Sequence, residues 1–291
     1  MSGALSGRTA LITGASQGLG LEIARHYLRA GAAGVYICAR DGEVLAGAER
    51  ELRELAGDGQ EVFAQAADVA APADVRRLAA SALERFPQLT ILVNNAGVYG
   101  PMGAIEDVPW EQWRRAVEIN LFGPVMLAHE LAGHFKRRGY GKVIQLSGGG
   151  ATKPMPGLSA YAASKTAVVR FAETLAEELR DYRVDVNALA PGALNTRMLD
   201  EVLAAGPERV GRRYYEQALR QQSSGGEPPS RGAELATWLS SAASDGVSGK
   251  LISALWDPWP ELVERREELD SDIYTLRRIV PADRGMRWGG D

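Results

Sequence analysis

At 291 residues, 45% hydrophobic and 24% charged, the chain has the make-up of a globular protein able to bury a substantial core. A net charge of −4 argues against nucleic acid or an anionic membrane surface as a partner. Cys38 is the only cysteine, which excludes an intrachain disulfide and any thiolate metal cluster. His26, His129 and His134 lack metal-ligand spacing beside carboxylates, so no metal site is expected.

The opening stretch MSGALSGRTALITG has no charged segment followed by an apolar one, and a signal peptide is not expected. No apolar run approaches the ~20 residues of a membrane span, and the expected location is the cytoplasm. From there strand and helix alternate. TALIT (9–13) is a short apolar strand, and LGLEIARHYLRAG after it carries apolar residues at helical spacing and closes on Gly31. GVYICAR gives a second strand and DGEVLAGAERELREL a helix with a polar face. EVFAQAADV is a third strand, and PADVRRLAASALERF a helix with Pro72 near its first turn. TILVNNAG is the fourth strand, 107–137 is helical, KVIQLS is the fifth strand, and 158–181 is a long helix. VDVNALAP and KLISALW supply two more strands. QQSSGGEPPSRG (221–232) reads as a mobile loop. Apolar strands alternating with amphipathic helices predict an α/β fold, a parallel sheet covered on both faces, in one doubly wound domain over 1–256.

The first chemical motif is TGASQGLG, residues 13–20. It ends a strand and opens a helix, where backbone N–H groups and the helix dipole receive a pyrophosphate. Gly14, Gly18 and Gly20 permit a tight turn and close backbone approach, and Ser16, Gln17 and Leu19 complete the expected phosphate-binding turn.

With NNAG at 94–97, Asn120 in EINLFG, YAASK at 161–165 and PGALNT at 191–196, this motif resembles the short-chain dehydrogenase/reductase family, in the shorter branch that includes the 3-oxoacyl-carrier-protein reductases. The resemblance spans roughly 7–256. It implies a single Rossmann-type domain with a seven-stranded sheet in order 3-2-1-4-5-6-7, a nicotinamide cofactor, and hydride transfer between an alcohol and a ketone. The glycine spacing does not match the longer sugar-nucleotide epimerase branch.

Tyr161 and Lys165 are four apart, so a helix projects both from one face. A free phenol, with a pKa of about 10, is a poor base, and a nearby cation is expected to lower it toward the range useful for general acid–base work. By resemblance Tyr161 and Lys165 also touch the cofactor, Lys165 through the nicotinamide ribose hydroxyls, and Asn120 holds a water that relays protons from Lys165. The family's serine stands thirteen residues before the tyrosine, and here that position is Gly148. Strand neighbours face opposite ways. Ser147 therefore serves as the catalytic hydroxyl only if GGG carries a one-residue insertion; Thr152 or Ser159 are alternatives, as is a site with no such hydroxyl.

Cofactor choice turns on VYICARD. Ala39 stands where an NAD-specific protein places an acidic residue, and Arg40 follows, suited to a 2′-phosphate; NADP(H) is expected. By resemblance Asp68 and Val69 contact the adenine, Asn95, Ala96 and Gly97 line the adenosine side, and Pro191, Gly192, Leu194 and Thr196 hold the carboxamide.

Residues 197–232 form a long, helical, arginine-rich lid. Beyond 256 runs a tail of about thirty-five residues (257–291), too short and polar for an independent domain. Arg277, Arg278, Arg284 and Arg287, with Tyr274 and Trp288, could recognise a polar small-molecule substrate from it, or the tail could staple an oligomer. The tryptophans, Trp256 among them, are expected to pack. The family implies a homodimer or homotetramer paired through 107–137 and 158–181. The alternative function is a catalytically impaired nucleotide-binding regulatory or redox-sensing protein of the same fold.

Overall fold

The computed structural model describes residues 3–287. Seven parallel strands form one sheet, β1 (Thr9–Thr13), β2 (Gly34–Ala39), β3 (Glu61–Ala66), β4 (Ile91–Asn94), β5 (Gly141–Leu146), β6 (Val184–Ala190) and β7 (Leu251–Ser253), in the order β3-β2-β1-β4-β5-β6-β7. β1, β4 and β5 are buried along their whole length because helices cover both faces; β5 buries Lys142 and Gln145 among its apolar residues, with Lys142 paired to Asp185. β1 pairs with β2 on one side and β4 on the other. The direction of winding reverses there, which opens a crevice at the carboxyl ends of the strands.

On one face lie α1 (Gly18–Arg29), α2 (Gly42–Leu55) and, from the far end of the chain, α10 (Pro229–Ser240). In α1 the residues Leu19, Ile23, Ala24, Tyr27 and Leu28 recur at helical spacing and are all buried. The Tyr27 hydroxyl, wholly buried, donates to the Ala236 carbonyl at 3.2 Å and bonds Ser240 Oγ at 2.5 Å, which ties α1 to α10. The other face carries α3 (Pro72–Arg85), α5 (Gly123–Arg138) and α6 (Ser159–Leu179).

The helix expected over 107–137 is two helices, α4 (Trp110–Val117) and α5, joined by a π-helical segment, Glu118–Phe122, that contains Asn120. Most strands stop short of their apolar runs: β4 ends at Asn94, because Asn95 and Ala96 leave the sheet to bond Thr13. The loop expected at 221–232 is mostly helix. α7 (Arg197–Ala205) and α8 (Pro207–Val210) lead into α9 (Arg212–Ser224), which Gly225 ends in the left-handed region (φ 87°); α10 begins at Pro229. α7, α8 and α9 share a small core of Leu199, Val202, Val210 and Ala218.

The tail returns along the β7 side of the molecule. Trp259, Leu262 and Leu269 join the core beneath α1 and α10, and Trp259 packs on Trp238. The two outward N–H groups of β7 are taken: Leu251 N donates to the Tyr274 carbonyl (2.8 Å) and Ser253 N to Asp257 Oδ2 (2.6 Å). Lys250 Nζ donates to the carbonyls of Ser271 and Ile273, and Glu173 on α6 accepts from Leu276 N. These contacts lie along β7 and about 18 Å along α6 from Tyr161. Arg277 pairs within the tail with Asp272 and Asp283, and Arg278, Arg284 and Arg287 are exposed. Trp288 lies outside the described residues. Trp256 does not pack as expected; it is 83% exposed.

Candidate active site

The glycine-rich turn is built to keep backbone in the open. Gly14 and Gly18 have φ of 63° and 59°, and α1 starts at Gly18 with no side-chain cap and no acidic residue in its first turn. Its first N–H groups are therefore free for an anion. Asn95 clamps the turn: its Nδ2 donates to the carbonyls of Thr13 and Gly14, both at 2.9 Å, while Thr13 Oγ1 accepts from the N–H groups of Asn95 and Ala96 at 3.0 Å. A Cβ at Gly20 would strike Asn95 Nδ2 and the Gly14 carbonyl, so that glycine serves the clamp. Asn95 thus spends its side-chain amide on holding the turn. Thr13, one residue before Gly14, is a site residue that the motif offered and the expectation omitted.

At the strand end expected to receive the adenosine, Asp41 caps α2, its Oδ1 accepting from Glu43 N and Val44 N. Arg40 just before it is exposed and makes no ion pair among the described residues. Asp68 accepts from Ala70 N and pairs with Arg115, and Val69 is buried against Gly123. Arg115 comes from α4, and nothing local in the sequence announces it. On the opposite wall, Thr196 Cγ2 would lie 3.8 Å from a Cβ on Gly18, which brings the Pro191–Thr196 segment over the glycine turn. Gly192, at φ 93°, leaves room for Leu255.

Tyr161 and Lys165 sit on one face of α6 and are both buried. Lys165 Nζ donates to the Leu146 carbonyl at 2.6 Å and lies 5.9 Å from the centre of the Tyr161 ring. Burial pulls the Lys165 ammonium down to about 8. The expected depression of Tyr161 does not occur: burial first, and then the Tyr214 hydroxyl, push its phenol above the ordinary range. Asn120 is fixed on every side. Its Oδ1 accepts from Val98 N (2.9 Å), and its Nδ2 donates to the Val98 carbonyl (2.8 Å) and to Ser164 Oγ (3.0 Å). Ser164, inside YAASK, donates in turn to the Tyr161 carbonyl; it too was overlooked, though it stands between the two site residues. A Cβ on Gly97 would be 3.4 Å from Asn120 Oδ1 and 3.5 Å from Lys165 Nζ, so glycine keeps a hollow open between them.

Ser147 is not where the expectation put it. Its Oγ is buried and has no hydrogen-bond partner. Gly148 is extended (φ −173°, ψ 172°), so no inserted residue alters the alternation, and a Cβ at 148 would run into Tyr161 Oη. The position facing the phenol belongs to a glycine. Thr152 is exposed, and Ser159 Oγ accepts from Trp113 Nε1. The groups that do gather at Tyr161 are tyrosines. The Tyr99 ring stands edge-on to it with centres 4.7 Å apart, and the Tyr99 hydroxyl bonds that of Tyr214 at 3.2 Å.

The arrangement suits a dinucleotide lying across the strand ends, with a buried phenol and ammonium at its reactive end. Residues 8–206 match the family model for short chain dehydrogenase. Among curated proteins the chain is 36% identical over 202 residues to 1-deoxy-11-beta-hydroxypentalenate dehydrogenase of Streptomyces exfoliatus, covering 69% of this chain and 72% of that one. It is similar to the crystal structure of a gluconate 5-dehydrogenase from Burkholderia cenocepacia J2315 in complex with NADP and tartrate, with a TM-score of 0.74 and 30% identity over 86% of this chain and 94% of the other. An NAD+-bound xylitol dehydrogenase shares the fold at a TM-score of 0.78 and 24% identity, over 86% and 98% of the two chains. The chain belongs to the short-chain dehydrogenase family.

Proposed function

We propose that the protein is an NADP(H)-dependent oxidoreductase that moves a hydride between the nicotinamide and a polar secondary alcohol or ketone, with Tyr161 as general acid/base. The observation that carries this reading is the buried constellation of Tyr161, Lys165 and Asn120 around the hollow at Gly97. The residues fit the cofactor: Gly14 and Gly18 leave backbone exposed at a helix N-terminus, and the hollow suits ribose hydroxyls. When bound, the nicotinamide supplies or accepts the hydride. Tyr161, held protonated by burial, donates its proton to the carbonyl oxygen in the reducing direction. Lys165 would bond the ribose and, while charged, favour loss of the phenol proton. Asn120, locked by Val98 and Ser164, would position the relay water.

For the cofactor, Arg40 makes no ion pair among the described residues while Asp41 is occupied as a helix cap, which favours a 2′-phosphate over a bare ribose. The gluconate dehydrogenase relative, named with NADP, supports the same choice and a polar substrate. A homodimer or homotetramer accords with the exposed Phe122 in the stretch expected to pair. No described helix is long and apolar enough to cross a membrane.

The test is NADPH oxidation by the purified protein with a panel of ketones and hydroxy-ketones. Turnover is expected, falling at least ~100-fold in Tyr161→Phe. Absence of turnover with every carbonyl would refute the proposal. Gly148 favours the second reading, a nucleotide-binding regulatory or redox-sensing protein. That reading predicts tight NADPH binding and no single-turnover oxidation.

A further inference from the structure

If Tyr161 works on a carbonyl, the oxygen of that carbonyl needs a second donor, and Gly148 has no side chain to supply one. The loss is not repaired in place, since any side chain at 148 would meet Tyr161 Oη and Ser147 faces elsewhere. Two other hydroxyls stand nearby. Tyr99 follows β4 and packs its ring edge-on to Tyr161 at 4.7 Å. Tyr214 comes from the first turn of α9, in the lid, and its hydroxyl is 3.2 Å from that of Tyr99. Among the described residues neither hydroxyl has another hydrogen-bond partner. Each phenol carries one proton, and the bond between them uses one. One O–H therefore remains to donate beside the Tyr161 ring. A phenol reaches much further from its backbone than a serine hydroxyl, so a residue of the lid can serve a place that the strand end leaves bare.

We propose that Tyr214, oriented by Tyr99, donates the hydrogen bond to the substrate oxygen that a serine gives in the family, so that the lid itself carries part of the catalytic site. This rests on the oxidoreductase reading above. The Tyr99 hydroxyl donates to Tyr214 Oη and is a positioning group; Tyr214 donates onward to the oxygen on which charge develops. No bond other than hydrogen bonds is made or broken by either residue. The lid core of Leu199, Val202, Val210 and Ala218, against which both tyrosines pack, holds the pair in register.

The experiment compares full-length wild type with Tyr214→Phe, Tyr99→Phe and Tyr161→Phe, using one ketone that the wild type reduces. kcat and KM are measured together with the NADPH Kd by fluorescence titration. Tyr214→Phe is expected to lose about 100-fold in kcat with an unchanged NADPH Kd, the scale of one lost donor to a developing oxyanion. Tyr99→Phe should lose about tenfold. If the two hydroxyls only latched the lid, both variants would raise KM and leave kcat alone, which would overturn the proposal. So would a Tyr214→Phe kcat within threefold of wild type while Tyr161→Phe is inactive; the oxidoreductase reading would then stand. An unchanged Tyr161→Phe, or a wild type without turnover, would sink both. Should Tyr214→Phe fail to fold, the Tyr99→Phe kcat decides, with no loss counting against.

Discussion

Lys165 is a buried ammonium, and its burial has a thermodynamic cost that can be measured on the protein without any ligand. It is 5% exposed, and burial takes it from its ordinary 10.5 to about 8. That gap corresponds to about 3 kcal/mol of destabilisation at neutral pH, where both the folded and unfolded chains hold the proton. Lys165→Met removes the ion but leaves the Leu146 carbonyl without its donor, which offsets ~1–3 kcal/mol. At pH 7 the variant should therefore be more stable than wild type by about 1 kcal/mol. The sign then changes with pH. Between about 8 and 10.5 the folded protein releases the proton while the unfolded chain keeps it, so this group makes rising pH stabilise wild type, a contribution the variant lacks. Urea unfolding of both proteins, followed by tryptophan fluorescence at pH 7 and pH 10, should show the difference in stability moving by about 2–3 kcal/mol toward wild type. Because the orphaned carbonyl and every other titrating group are common to both pH values or both proteins, they cancel in that double difference. A difference that stays constant between the two pH values would refute the reasoning.

The strand end gives a paired prediction. Ser147→Ala removes a buried hydroxyl with no partner and should keep kcat within twofold and stability unchanged or up to ~1 kcal/mol higher, by activity assay and thermal melt. Gly148→Ser, which restores the family residue, should instead lower kcat more than tenfold, because the new Cβ displaces Tyr161 Oη. Arg40→Gln should weaken NADPH about tenfold, ~1.4 kcal/mol, and leave NADH unchanged in fluorescence titrations. A chain ending at Asp257 loses Trp259, Leu262 and Leu269 from the core, each worth ~1.5–3 kcal/mol, and its melting temperature should fall by roughly 10 °C or more in scanning fluorimetry.

The alternation of apolar strands and amphipathic helices made the sheet readable, because a strand buried on both faces is mostly apolar, as ALI in β1 and ILV in β4 are. The glycine turn was readable for a similar reason, since few backbones other than glycine tolerate φ near 60° against a neighbouring strand. What escaped the sequence lies between distant segments. Arg115 reaches Asp68 across 47 positions, and Tyr99 meets Tyr214 across 115. Neither pair leaves a local pattern. The π-helical turn at Asn120 has no composition that separates it from the α-helices on either side. Ser147 was misplaced because three glycines permit an inserted residue without requiring one; the extended backbone at Gly148 decides the matter. In the tail, Arg277 is paired internally and Arg278, Arg284 and Arg287 stand in water, while its sparse apolar residues do the docking, a division that charge counting does not announce.

The covered edge of β7 bears on how copies of the chain can meet. An open strand edge offers N–H and C=O groups to any neighbour, and two such edges can join two sheets into one. Here the N–H groups of Leu251 and Ser253 already point into the chain's own tail, and Lys250 fastens that tail with its ammonium. A second molecule cannot add a strand beyond β7 without first peeling these contacts away. The tail therefore behaves as a built-in stopper at this edge of the sheet: it closes β7 to strand addition by a second copy.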